Sequence, residues 1–240
     1  MLERGAANGP PRESGAEWGG LQVAHVSGIG EGQRGGTAVV LLHGWGATGD
    51  DLLPVAQALV RPGVRFFVPA APLPEVGGGR AWWHLDPRSK PPHAWDDQLA
   101  PGFQPNAQVT AARTAIQQLL GTVIDRHAPD LIALAGFSQG AMLSLDVALT
   151  AAPAVQRVVA MSGVLLQDSL AALKAPRAAK PTFLLSHGRQ DPAVPFQAGV
   201  RAKELLEKYG LPVSWHPFAG GHEIPEPVLA AVARFLFTAG

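Results

Sequence analysis

The chain has 240 residues, 47% of them apolar, with 19 acidic and 19 basic side chains. That size and apolar content support one sizeable core and exclude a disordered chain. The zero net charge gives no electrostatic footprint for nucleic acid or an anionic membrane. The absence of cysteine removes disulfides, thiolate nucleophiles and Cys-ligated metals together.

Residues 1–20 are rich in Gly, Pro, Glu and Ala and read as a flexible segment before a single domain at 21–240. No basic stretch precedes an apolar one there, as a secretory leader would require. No apolar run reaches the roughly 18 residues of a membrane span. A cytoplasmic protein without membrane insertion is therefore expected. Leu21–Val26 begins the strand pattern. Short apolar runs then recur at Thr37–His43, Val64–Pro69, Leu131–Gly136, Gln156–Met161, Pro181–His187 and Val213–Phe218. Most are continuous rather than alternating, as in strands buried on both faces of a parallel sheet.

Helical patterns fill the gaps: Asp50–Val60, Gln108–His127, Ala141–Ala151, Ala198–Tyr209 and Pro225–Phe237. The second carries apolar residues at 109, 112, 116, 119, 120, 123 and 124, a stripe of helical period. Strand–helix alternation predicts an α/β fold with a mostly parallel sheet of about seven strands. One stretch breaks the rhythm. Leu73–Pro105 is rich in Pro and holds Trp82, Trp83, Trp95 and three successive glycines. A connection of that length is usually functional or disordered, and three Trp favour a structured excursion toward the substrate.

Gly136-Phe137-Ser138-Gln139-Gly140 is a G-x-S-x-G pattern between a predicted strand and a predicted helix. That is the context of a nucleophile elbow, where the strained turn exposes a Ser hydroxyl beside a helix N-terminus. A Ser hydroxyl needs a base, and the base needs an orienting acid, which follow in the order acid then His on this fold. Asp191, just beyond Pro181–His187, and His222, in a Gly-Gly-His turn beyond Val213–Phe218, fill those places. His43, His187, His216 and Asp168 compete less well by position. The oxyanion hole needs two backbone N–H donors, expected from Gln139 and from Trp45 in Leu42-His43-Gly44-Trp45-Gly46. Residues 44–49 also match the dinucleotide pattern G-x-G-x-x-G. The acid expected roughly 20 residues later is missing, which weighs against a nucleotide site.

These blocks together resemble the phospholipase/carboxylesterase family of small α/β-hydrolases, which includes acyl-protein thioesterases and bacterial carboxylesterases. Leu42–Gly46 resembles its L-H-G-x-G block, and Gly136–Gly140 its G-F-S-Q-G elbow. His187–Pro195 resembles H-G-x-x-D-x-x-V-P, Gly221-His222 its terminal G-H, and Arg80–Leu85 an A-W-[FY]-D-like block. His84 departs from that block's Asp, and Pro87–Gln104 is long. The resemblance implies an α/β-hydrolase fold without a large cap and a Ser hydrolase of esters or thioesters. It also implies no metal and no cofactor. The expected substrate is a small-molecule ester of short to medium acyl chain, and a homodimer is left open. A lysophospholipase or acyl-protein thioesterase with a longer apolar groove is the alternative. A non-catalytic binding protein on the same fold comes third. Leu73, Trp82, Trp83, Met142, Leu165 and Val194 are the candidates for the acyl pocket.

Overall fold

The computed structural model describes residues 12–85, 98, 102–150, 154–176 and 180–238. The strands are β1 (Arg12–Ser14), β2 (Gln22–Ser27), β3 (Thr37–Leu42), β4 (Val64–Ala70), β5 (Leu73–Pro74), β6 (Arg80–Ala81), β7 (Leu131–Phe137), β8 (Arg157–Met161), β9 (Thr182–Gly188) and β10 (Val213–Phe218). The helices are α1 (Leu53–Leu59), α2 (Ala107–His127), α3 (Gln139–Thr150), α4 (Leu170–Lys174), α5 (Phe196–Lys208) and α6 (Glu226–Phe237). The described residues build one eight-stranded sheet, in the order β1-β2-β4-β3-β7-β8-β9-β10, and a β5–β6 hairpin beside it. Pairing is parallel from β4 through β10, while β1 and β2 run antiparallel at one edge.

Continuous apolar runs form the middle strands because both sheet faces are covered. Along β3, Ala38, Val40 and Leu42 join the core under α2, α3 and α5. Val39 and Leu41 point the other way, into the core under α1 and α6. Two helix ends are fixed by side chains. The Asn106 carboxamide oxygen accepts the N–H groups of Gln108 and Val109 at the start of α2, a cap worth about 1 kcal/mol. The Arg157 guanidinium donates to the carbonyls of Phe235, Leu236 and Thr238 at the end of α6.

The ordered domain begins earlier than residue 21. β1 pairs with β2, and Trp18 is buried in the core with the Arg126 guanidinium over its ring. Residues 1–11 of the expected flexible segment lie outside the described residues. So does part of the Pro-rich excursion, residues 86–97 and 99–101. Its described beginning is the β5–β6 hairpin, which no apolar run announced. Among the described residues no helix is long and apolar enough to cross a membrane.

Candidate active site

The C-terminal ends of β3, β7, β9 and β10 bring the predicted site residues to one end of the sheet. β7 passes into α3 with Ser138 alone between them, and Ser138 adopts φ +54°. A non-Gly residue in that region carries roughly 1–3 kcal/mol of strain, which the surroundings must hold in place. They do so by hydrogen bonds and close packing. The Ser138 N–H donates to Met161 O at 2.9 Å, and Ser138 O accepts the Met142 N–H at 3.1 Å. A Cβ on Gly136 would overlap the Gly140 backbone, and one on Gly140 would overlap the carbonyl of Leu42. Both glycines of the elbow are therefore required by backbone approach. The loop after β3 passes over the turn, so a Cβ at Gly44 would press on Ser138 Cβ.

Asp191 and His222 lie on neighbouring loops because β9 and β10 are paired to their ends, Gly188 opposite Phe218. The loops are stitched by Arg189 N–H to Phe218 O and Gln190 N–H to Gly220 O, each 2.9 Å. Asp191 Oδ1 accepts the N–H groups of Ala193 and Val194 at 2.9 and 2.8 Å, and Oδ2 lies 2.7 Å from His222 Nδ1. Burial alone would raise the Asp191 carboxyl. The Val194 N–H, the His222 ring and the Ala193 N–H outweigh it and hold the group below its ordinary 3.8. An ionised Asp191 makes His222 Nδ1 the donor, which leaves Nε2 as the ring's acceptor. The ring rests on Phe137, with centroids 4.6 Å apart.

The competing histidines have other work. His187 is fully buried, its Nε2 2.9 Å from Val194 O and 3.4 Å from Asp191 Oδ2. Burial pushes its pKa below 6.5, so it braces the Asp191 loop as a neutral ring. His43 Nε2 accepts the Ala71 N–H at 2.9 Å, so Nδ1 is the protonated nitrogen and donates to Gly44 O at 2.8 Å. Asp168 accepts the Asn106 N–H at 2.9 Å.

Ser138 and His222 line a cleft of about 220 Å³ with Trp45, Trp83, Leu85, Gln139, Met142, Leu166, Ala193 and Val194. Trp83, Met142 and Val194 were expected there. Leu73, Trp82 and Leu165 are not among the residues lining this cleft. Trp82 turns into the core and donates its indole N–H to His43 O at 3.0 Å. Leu165 is buried in the core, and its neighbour Leu166 takes the cleft position. Leu73 belongs to the hairpin strand β5, away from the cleft lining. Both expected oxyanion donors, Trp45 and Gln139, border the cleft. Gln139 is the first residue of α3, where backbone N–H groups lack a partner within the helix.

The sequence reading missed the Gln139 side chain. It is buried, accepts the Trp82 N–H at 2.9 Å and donates to Trp83 O at 2.7 Å, so the elbow holds the Trp wall directly. The Gln of the motif was its only signal. Among the described residues no group of three or more His, Asp or Glu is placed to hold a metal ion.

Comparisons with known proteins bear on the family and the fold. Acyl-protein thioesterase 1 of Neurospora crassa is 29% identical over 217 residues, 82% of this chain and 84% of that protein. The Gibberella zeae protein of the same name is 34% identical over 112 residues, 45% of this chain and 48% of its own length. The crystal structure of esterase PE8 superposes with a TM-score of 0.76 at 28% identity, covering 90% of this chain and 97% of that one. A phospholipase/carboxylesterase structure from Dyadobacter fermentans, 22% identical over 90% of this chain and 96% of its own, shares the fold with a TM-score of 0.70. The Phospholipase/Carboxylesterase family profile matches residues 29–239. On that match the chain belongs to the phospholipase/carboxylesterase family of α/β-hydrolases.

Proposed function

We propose that this hydrolase cleaves carboxylic esters of short to medium acyl chains through Ser138, His222 and Asp191. The observation that carries the reading is the Asp191–His222 pair at 2.7 Å, with the His222 ring lining the same cleft as a Ser held at φ +54°. In the proposed cycle His222 Nε2 takes the Ser138 proton as Oγ attacks the ester carbonyl. The N–H groups of Trp45 and Gln139 receive the oxyanion. His222 then protonates the leaving alkoxide, and water repeats the sequence on the acyl-enzyme. Asp191 keeps Nδ1 protonated and stabilises the imidazolium. The cleft, at about 220 Å³, is smaller than the roughly 300–1,000 Å³ of pockets for drug-sized ligands, which favours short acyl groups.

A second reading, thioester or lysophospholipid cleavage, draws support from relatives named acyl-protein thioesterase. It needs room for a longer chain. Hydrolysis of p-nitrophenyl esters from acetate to palmitate, beside Ser138→Ala, separates the two. Turnover peaking at short chains and lost in the variant supports the ester reading. A peak at long chains moves the assignment to the second. No turnover, and no fluorophosphonate label on Ser138, overturns both.

A further inference from the structure

His84, which departs from the Asp of the resembling block, has a partner that the proposed chemistry does not use. His84 Nδ1 lies 2.7 Å from Glu75 Oε1, and the same oxygen accepts the Trp45 indole N–H at 3.1 Å. Glu75 stands at the turn of the β5–β6 hairpin, its N–H bonded to Gly79 O at 2.7 Å. That hairpin is fastened to the loop bearing Trp45. The Gly46 N–H donates to Arg80 O at 2.9 Å, and the Arg80 N–H to Ala47 O at 2.8 Å. Gly79 approaches the Gly46 carbonyl so closely that a Cβ there would overlap it. The Arg80 guanidinium in turn donates to the carbonyls of Ala71 and Pro72. On the other side, the His84 N–H donates to the Gln108 side chain at 3.0 Å and so ties the segment to α2. Trp45, Glu75 and His84 thus sit on one braced platform. The hydrogen bond from His84 leads the causes that hold the Glu75 carboxyl below its ordinary range, which keeps it a charged acceptor for both partners.

The cleft wall divides into two kinds. Trp83, Met142, Leu166 and Val194 are buried and form its floor. Trp45 and Leu85, 48% and 43% exposed, form its rim. A half-exposed indole could swing between rotamers; this one is held by its N–H to a carboxylate.

We propose that Trp45 is a specificity-determining residue: its indole, tethered by Glu75 and through it to His84, is a fixed rim that limits the length of chain the cleft accepts. The inference rests on the acyl-ester reading of the cleft. An acyl chain that outgrows the floor must pass the rim, and a ring that cannot turn aside refuses it. Excluding one methylene in a shaped apolar site is worth roughly 10–200-fold in kcat/KM.

The test compares kcat/KM for p-nitrophenyl esters from acetate to palmitate in wild type, Glu75→Ala, Trp45→Phe and the double variant. Trp45→Phe keeps the backbone N–H and an aromatic ring but loses the indole donor. Glu75 touches no reacting atom, so acetate turnover by Glu75→Ala stays near wild type. The decanoate-to-acetate ratio rises about tenfold in each single variant, the low end of that range. The double variant gains no more than either single one, since both cut the same tether. Should Glu75→Ala not fold, Trp45→Phe and His84→Ala carry the test, the latter with a smaller shift in the same direction. An unchanged ratio in folded variants that hydrolyse acetate, or gains that add in the double variant, overturns the tether. A wild type with no ester turnover and no fluorophosphonate label on Ser138 overturns the acyl-ester reading and the rim's role together.

Discussion

Asp146 and Asp191 are both carboxylates with fully buried side chains, yet their surroundings differ in kind. Asp146, in the middle of α3, takes a two-pronged contact from Arg113, at 2.6 and 3.0 Å, and a hydroxyl from Ser169 at 2.7 Å. These donors are a guanidinium and a hydroxyl, and they close the cluster around the carboxylate. Asp191 takes two backbone N–H groups and one imidazole, and that imidazole borders the cleft. Burial obliges every carboxylate to find donors. Where all donors are permanent the group can only hold the fold together. Where one donor is an imidazole at a cleft, the same satisfaction is what the proposed reaction would use.

The contrast can be broken experimentally, and the largest effect is on the reaction itself. Ser138→Ala should lower turnover by about 10⁶-fold and abolish fluorophosphonate labelling, with the fold retained. Turnover near wild type in that variant removes the partner that His222 is proposed to serve. Asp191→Asn comes next, at about 10⁴-fold in kcat, because an amide no longer enforces the Nδ1–H tautomer. Denaturant midpoints should move far less than activity. Asp146→Ala should do the reverse. It strands Arg113 and costs about 3–5 kcal/mol of stability by chemical denaturation, while the folded fraction turns over normally. If Asp146→Ala instead lost activity without stability, the division between the two carboxylates would fail.

The smallest effect is on the pH dependence of stability. Burial holds the rings of His25, His127, His187 and His216 below the ordinary 6.5. The unfolded chain therefore binds protons first as pH falls, so their contribution is full above 6.5 and declines toward their lowered folded values. Asp191, lowered below 3.8, contributes fully above that value and loses its share as pH falls through the folded one. Urea midpoints should thus drop in two stages between pH 7 and pH 2, and Asp191→Asn should shrink the second, to which the lowered Asp51 and Glu75 carboxyls also contribute. A midpoint constant from pH 7 to 5 would contradict the burial of the four rings.

Much of the fold was legible because the central strands β3, β4, β7, β8 and β9 are buried on both faces and so appear as apolar runs, whereas β1, β5 and β6 do not. β1 reads Arg-Glu-Ser, and the hairpin strands are two residues each, one of them ending in Pro74. Their place is set by partners across the chain, not by their own pattern. α4, five residues long, is too short for a helical period to register. The site divides in the same way. Ser138, Asp191 and His222 stand at strand ends in a fixed order, which a linear reading can follow. The Gln139 clamp on Trp82 and Trp83 joins positions 57 and 56 residues apart, and the Glu75–Trp45 contact spans 30. No local periodicity records such distances. The exchange of Leu165 for Leu166 has a related cause: both are buried in the same core, and sequence does not say which of two adjacent leucines on an irregular loop borders the cleft.

Ser138, Met142 and Asp146 stand four residues apart, one immediately before α3 and two within it. With a rise of about 1.5 Å per residue, Met142 lies roughly 6 Å and Asp146 roughly 12 Å behind the serine along one rod. On the proposed reading the rod is graduated: reaction at its tip, chain recognition one turn back, anchorage two turns back. A designer wishing to alter what the cleft accepts therefore has a narrow stretch to work in, bounded ahead by the elbow and behind by an ion pair that the fold needs.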